Sequence, residues 1–185
     1  MLPQLYKDLE NRMKKAVEAT QGEFAAIRTG RANASLLDHV VVEAYGTEMP
    51  LRHVANVSVP DARSIVIQPH DKSIIGDVRK AIEKSDLGIA PNVDGNAIRL
   101  GMPPLTEERR KDLVKLVHKR AEEGRVAVRN VRRDGHEHLK TAQKDSKITE
   151  GESRRANEQV QKLTDKHIAE IDALVHNKEK EIMEV

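Results

Sequence analysis

Four arginines between residues 125 and 133 have a spacing that suits them to bind phosphate. Arg125, Arg129, Arg132 and Arg133 fall within roughly 100° of arc if this stretch is an α-helix, in which successive residues are rotated by about 100°. A guanidinium group stays charged at cellular pH, and its planar fork can hold a phosphate through two hydrogen bonds. The four side chains therefore predict a helical surface that meets phosphate groups.

The charge of the surrounding segment supports this interpretation. From residue 109 to residue 133, ten Lys and Arg residues stand against three Asp and Glu residues, although the whole chain has a formal net charge of only +2. A solvated helix face without a ligand is the alternative, because such faces are common. Aromatic residues make up only 2% of the chain, so few rings can stack on bases. We therefore expect a nucleic-acid partner to be recognised by its phosphate backbone and its shape.

The sequence offers no candidate residues for catalysis. It contains no cysteine, which excludes a disulfide framework, a thiolate metal site and a cysteine nucleophile. No phosphate-loop, dinucleotide-binding or serine-hydrolase motif occurs. His136 and His138 are two residues apart, so they diverge on a helix and do not predict a metal site. We therefore expect no enzymatic activity, no cofactor, no metal and no small-molecule substrate.

Composition also indicates where the protein works. The N-terminal residues lack a basic region followed by an apolar run, and no stretch approaches the roughly 18 apolar residues of a membrane span. The absence of cysteine fits a reducing compartment. We expect a cytoplasmic protein that makes no membrane contact.

Three segments have the periodicity of long amphipathic helices. The first is predicted to end at Gly30, and the second to begin after Thr106, a plausible N-cap, and to run to about Lys144. The third opens with Thr149 and Glu152 in capping-box spacing. Their apolar stripes are Leu2, Leu5, Leu9, Met13, Val17, Thr20, Phe24 and Ile27; Leu113, Val117, Gly124, Val128, Val131, Gly135 and Leu139; and Ala156, Val160, Leu163, His167, Ile171, Leu174 and Ile182. Together they predict an elongated, antiparallel three-helix bundle.

The segment from residue 31 to residue 104 has a different pattern. Its β-branched runs predict strands, its one amphipathic stretch predicts a helix, and Gly46-Thr47 and Asp94-Gly95 are turn signals. The predicted strands cover 39–46, 54–59, 64–69 and 96–100, and the predicted helix covers 72–86. The expected fold class is α+β, with a small β-rich α/β domain at 31–104 inserted into a bundle formed by 1–30 and 105–185.

The chain must cross between these two domains at 29–31 and again at 102–105. Gly30 can adopt a left-handed backbone conformation, whereas Pro103 and Pro104 fix their own φ angles and restrict their neighbours. We predict a hinge formed by Gly30, Pro103, Pro104 and Leu105. The alternative is that these residues only mark helix boundaries, as glycine and proline often do.

Five motifs in register carry a family resemblance. They are RTGRA at 28–32, SLLD at 35–38, VEAYG at 42–46, PPLTEERRK at 103–111 and VAVRNVRRD at 126–134. Their order and spacing, and the total length of the chain, are similar to those of the ribosome recycling factor family. The resemblance covers essentially the whole sequence.

The resemblance implies an L-shaped molecule with tRNA-like dimensions that acts as a non-catalytic translation factor. Members of the family bind the ribosome after peptide release. Together with elongation factor G and its GTP hydrolysis, they separate the two subunits for reuse. The bundle is expected to rest on large-subunit ribosomal RNA as a monomer, while the smaller domain swings.

The resemblance also assigns roles to individual arginines. It implies that Arg132 and Arg129 contact ribosomal-RNA phosphates. Arg133, Arg28, Arg31 and Arg110 are expected to support them, and Arg125 lies on the same predicted arc. Arg28 and Arg110 have an alternative, which is to pair with Glu107, Glu108 or helix-terminal carbonyl groups. If about five phosphates are engaged, the log-log salt dependence of binding should have a slope of about −0.7 to −0.9 per contact.

One segment departs from the family pattern. Gly135-His136-Glu137-His138 stands where the family commonly has alanine and then small or acidic polar residues. Gly135 lies on the apolar arc, so it either permits close helix packing or marks a bend. Without the resemblance, the alternative function is a non-catalytic helical adaptor that binds partner proteins through its charged faces.

Overall fold

The computed structural model describes residues 1–184 and divides the chain into two compact units, Met1–Arg28 with Glu107–Glu184 and Thr29–Thr106. No helix within the described residues is long and apolar enough to cross a membrane. In chain order the elements are α1 (Leu2–Ala26), β1 (Val41–Ala44), β2 (Thr47–Pro50), α2 (Leu51–Val54), β3 (Ala55–Asp61), β4 (Ser64–Pro69), α3 (Ile75–Lys84), β5 (Pro91–Asp94), β6 (Ala97–Gly101), α4 (Glu107–Lys144) and α5 (Glu150–Glu184). Short 3-10 turns cover Ala34–Leu37 and Lys72–Ile74.

Helices α1, α4 and α5 form the first unit. Arg12 pairs with Asp134 at 2.6 Å and Glu23 pairs with Arg120 at 3.6 Å, so α1 runs antiparallel to α4. The short connection after α4 turns the chain back into α5. The predicted fold class, an antiparallel three-helix bundle with an inserted β-rich α/β domain, is confirmed.

The start of α5 is fixed by the capping box that the sequence predicts. The Thr149 hydroxyl accepts a hydrogen bond from the Glu152 amide at 3.1 Å, and the Glu152 carboxylate accepts one from the Thr149 amide at 3.2 Å. These bonds satisfy two backbone donors that a helix terminus otherwise leaves unpaired. The residue types at this boundary therefore set where α5 begins.

The apolar arc of α4 is buried as predicted, and its two glycines explain how closely the helices pack. A Cβ atom at Gly124 would lie 2.1 Å from the Thr20 hydroxyl oxygen, and one at Gly135 would lie 2.8 Å from a Leu9 methyl carbon. Helix α4 continues without interruption through Gly135. Gly135 thus permits close helix packing and does not end the helix.

Two details of the helical predictions are wrong. Helix α1 ends at Ala26 instead of Gly30, because Ile27 already has an extended backbone with φ −76° and ψ 116°. In α5, Val175 is buried while Leu174 is only half-buried. Val175 lies four residues after the buried Ile171 and so shares its side of the helix, and Ile182 of the predicted stripe is buried as well.

The second unit contains a four-stranded antiparallel sheet of order β3-β4-β6-β5 and a separate β1-β2 hairpin. Alternate residues of the central strands face one side, so Ile65 and Ile67 of β4 are buried together with Ile98 and Leu100 of β6. The buried face of α3 belongs to the same core, as do the inward residues of β1. The unit therefore has its own hydrophobic core.

The strand predictions succeed in the centre of the sheet and fail at its edges. β4 matches the predicted 64–69, whereas β1 is shorter than predicted and β3 and β6 are shifted towards higher residue numbers. Strands β2 and β5 and the short helix α2 are not predicted. Both turns are displaced by one residue, since Ala44 pairs with Thr47 and Asp94 pairs with Ala97. The loop residues are thus Tyr45-Gly46 and Gly95-Asn96.

Candidate nucleic-acid interface

The basic face of α4, defined here by Arg125, Arg129, Arg132 and Arg133, lies on the flank of the helix next to its buried arc. Arg132 and Arg133 make no ion pair or side-chain hydrogen bond with any residue from 1 to 184. Arg133 is exposed, and Arg132 is half-buried. A long cationic side chain commonly packs its stem and leaves its charged end in water. These two guanidinium groups are available to an external anion.

Arg125 is in a different state, because its donors are already occupied. Its Nε and Nη2 atoms donate to one Asp172 carboxylate oxygen at 3.0 and 2.8 Å, and Nη1 lies 3.4 Å from Glu122. Only 20% of the Arg125 side chain is exposed. Asp172 belongs to α5, so Arg125 joins α4 to α5.

Arg129 is intermediate between these cases. Its Nη1 donates to the Glu122 carboxylate at 2.9 Å, and 37% of its side chain is exposed. The hydrogen bond from Arg129 holds the pKa of Glu122 below its usual value, with the charge of Arg125 acting in the same direction. Glu122 therefore remains a carboxylate at neutral pH, and the basic face contains a fixed negative charge.

The other predicted arginines lie elsewhere. Arg110 is half-buried near the start of α4, about 33 Å along the helix from Arg132 at 1.5 Å per residue. Arg28 follows α1 and is exposed. Since α1 is antiparallel to α4, Arg28 lies towards the same end of the bundle as Arg110. Arg31 is exposed in the second compact unit. Within the first unit the structure thus groups the arginines from 125 to 133 and places Arg28 and Arg110 towards the other end of the bundle.

The predicted hinge residues have the backbone features that the sequence suggests. Gly30 has a φ of +76°, which favours glycine, and a Cβ atom there would lie 3.0 Å from a Leu105 methyl carbon. Pro103 and Pro104 are exposed and lie outside the helices and strands. The two connecting segments therefore touch through Gly30 and Leu105.

Sequence reasoning missed the two carboxylates that modify the basic face. Glu122 stands seven residues before Arg129 and three before Arg125, a spacing that places all three on one side of a helix. That signal was present in the sequence. Asp172 lies 47 residues from Arg125 on another helix, and no local pattern links them.

Two lysines also extend the positive surface beyond the predicted set. Lys115 and Lys119 are exposed and make no ion pair with any described residue. At about 100° per residue they lie on the same flank of α4 as Arg133. Long side chains on a rigid helix can follow the phosphates of a folded RNA, whereas the scarcity of rings disfavours base stacking.

The chain is similar to known proteins along nearly its whole length. The ribosome recycling factor family model matches residues 20–183. Curated ribosome-recycling factors from Thermosynechococcus vestitus and Halalkalibacterium halodurans are 59% and 57% identical to this chain. The first alignment covers 96% of this chain and 98% of its relative, and the second covers 100% of both.

Two solved structures are similar along nearly the whole chain. A solution structure of the ribosome recycling factor is 47% identical, with a TM-score of 0.68 over 100% of this chain and 98% of its own. A T. thermophilus ribosome recycling factor, described with E. coli elongation factor G bound to the E. coli post-termination complex, is 46% identical. Its TM-score is 0.62, and 98% of each chain is covered. With an antiparallel three-helix bundle, an inserted β-rich domain and relatives that match from end to end, this chain belongs to the ribosome recycling factor family.

Proposed function

We propose that this chain binds the post-termination ribosome and, with elongation factor G and GTP hydrolysis by that factor, splits it into subunits for recycling. Membership of the family supports the ribosome as the partner. The neighbour described with elongation factor G on a post-termination complex supports the pairing of the two factors. In this proposal the chain is a cytoplasmic, monomeric translation factor without catalytic chemistry of its own.

The proposed RNA contact rests on two arginines of α4 that have no ion-pair partner within residues 1–184. Arg132 and Arg133 project from a 38-residue helix that is anchored by a buried arc along its length. Their charge is not neutralised by any ion pair within residues 1–184. Phosphates of large-subunit ribosomal RNA are the proposed ligands, and Arg129 joins them when it leaves Glu122. Arg125, Arg28, Arg31 and Arg110 are proposed as secondary contributors.

We also propose that 29–31 and 102–105 form the hinge of the factor, between a domain at 1–30 and 105–185 and a domain at 31–104. The left-handed conformation of Gly30 and its contact with Leu105 support this assignment. The fixed φ angles of Pro103 and Pro104 would limit the range of the motion. A hinge with such limits lets one domain move while the other stays bound.

The proposed function is tested by ribosome splitting followed by light scattering. Post-termination ribosomes are mixed with the chain, elongation factor G and GTP, and the fall in scattering is compared between wild type and Arg132→Ala. Arg154→Ala is the matched control, because it removes the same charge from an exposed position on α5 where the ion pair to Glu150 is 3.8 Å long.

We expect GTP-dependent splitting by wild type and by Arg154→Ala, and slow splitting by Arg132→Ala with an unchanged circular dichroism spectrum. Failure of folded wild type with a cognate elongation factor G would contradict the recycling function. Full activity of Arg132→Ala would place the RNA contact elsewhere on the surface.

A further inference from the structure

Glu122 is a carboxylate inside a surface that is otherwise basic. It is turned towards Arg125 and Arg129, with oxygen to nitrogen distances of 3.4 and 2.9 Å. The adjacent Glu123 points to the other flank of α4, where it accepts a hydrogen bond from Arg120 at 3.2 Å. Of these two neighbouring glutamates of α4, only Glu122 faces the basic surface.

The two arginines beside Glu122 are held to different degrees. Arg125 donates two hydrogen bonds to Asp172 in which Glu122 takes no part. Arg129 has Glu122 as its only ion-pair partner among the described residues. Loss of Glu122 would thus release Arg129 and leave the link between α4 and α5 intact.

A carboxylate and a phosphate compete for the same guanidinium donors. Arginine binds both through its N–H groups, and each occupied donor is lost to the other anion. The Glu122 charge also repels an approaching phosphate, and exposed pairs of this kind are weak enough to exchange. The geometry around Arg129 is therefore that of an anion site with an internal occupant.

We propose that Glu122 is an internal competitor for RNA phosphate, which occupies Arg129 in the free protein and must release it when the basic face binds. This inference rests on the proposed function, because it needs that face to contact RNA. Its effect is to weaken ribosome binding and to favour release of the factor. Glu122 acts through Arg129 and is a positioning residue in this scheme.

The test measures equilibrium binding to purified large ribosomal subunits by fluorescence anisotropy of the full-length chain. Because the chain has no cysteine, Met183→Cys at an exposed position of α5 provides a single labelling site. The variants are Glu122→Gln, Glu123→Gln, Arg129→Ala, and Glu122→Gln combined with Arg129→Ala. Glu123→Gln is the matched control, with the same chemical change one residue away.

We expect Glu122→Gln to bind about three- to fivefold more tightly, the range given by the upper part of 0.2–1 kcal/mol for an exposed ion pair. The gain should shrink as KCl is added, because salt screens exposed charges. Glu123→Gln should bind like wild type. In the Arg129→Ala background the gain from Glu122→Gln should be clearly smaller, because the competed group is absent and only the repulsion of phosphate by Glu122 is relieved.

Unchanged or weaker binding by folded Glu122→Gln would overturn the inference, as would an equal gain from Glu123→Gln. Including Arg132→Ala separates this failure from that of the proposed function. If Arg132→Ala binds weakly while Glu122→Gln is unchanged, only the competitor role is wrong. If neither substitution alters binding, the RNA contact of the basic face is wrong, and the competitor role with it.

Discussion

The two halves of the basic face carry the same side chain in different states. Arg125 and Arg129 have carboxylate partners, whereas Arg132 and Arg133, one to two turns further along α4, have none within the described residues. In the paired half, carboxylates already occupy guanidinium donors, whereas the donors of the unpaired half are open to a ligand. A count of positive residues along a helix therefore overstates the charge that it can offer, because some of that charge is already neutralised.

The largest effect should come from the unpaired half. Arg132→Ala is expected to weaken binding to large ribosomal subunits by tenfold or more, because a hydrogen bond to a charged group contributes about 1.5–3 kcal/mol. Arg132→Lys should fall between wild type and alanine, since lysine keeps the charge and loses the planar fork. Binding isotherms at one fixed salt concentration measure both. A larger loss from Arg125→Ala than from Arg132→Ala would reverse the comparison.

In the paired half, substitution of Arg125 should change the stability of the protein more than its binding to the ribosome. Arg125→Ala is expected to lower the free energy of unfolding by about 1 kcal/mol, because it removes two hydrogen bonds to Asp172 from a side chain that is only 20% exposed. Its effect on ribosome binding should be less than twofold. Urea unfolding followed by circular dichroism measures the stability, with Arg154→Ala as the exposed control. Equal stability of the two variants would remove the structural role of Arg125.

Arg129 should lose less ribosome binding than Arg132 and more than Arg125, since it stands between the two states. Arg129→Ala is expected to weaken subunit binding by about threefold. The loss is small because breaking the ion pair between Arg129 and Glu122 offsets part of the free energy gained from the phosphate contact. The log-log salt dependence should become less steep by up to about 0.7–0.9, the value of one contact. Titrations at several KCl concentrations provide this slope. A tenfold loss would mean that Arg129 belongs with Arg132.

The helices were predictable because each carries its own signal. A continuous apolar period defines α4, and the side chains of Thr149 and Glu152 determine the start of α5. Strands β2 and β5 carry no such signal and include Pro50 and Pro91. They are held at open edges by pairing with a neighbour, where proline is tolerated.

The same distinction applies to the candidate site. The arc of arginines follows from helical geometry alone, and the Glu122 spacing could have been read in the same way. The bond from Arg125 to Asp172 depends on how α5 packs against α4, so it becomes visible only in three dimensions. Local periodicity predicts which residues share a surface, and tertiary packing decides which of them remain available.

The close contacts at the two glycines of α4 also constrain motion inside the bundle. Gly124 receives Thr20 and Gly135 receives Leu9, so both the notches on α4 and the side chains that fill them are eleven residues apart. Axial slip of α1 by even one residue would carry both side chains out of their notches and into neighbouring atoms at the same time. The two contacts therefore fix a single axial register of α1 against α4. A force applied to one end of the bundle is transmitted along its length instead of being lost to sliding between helices.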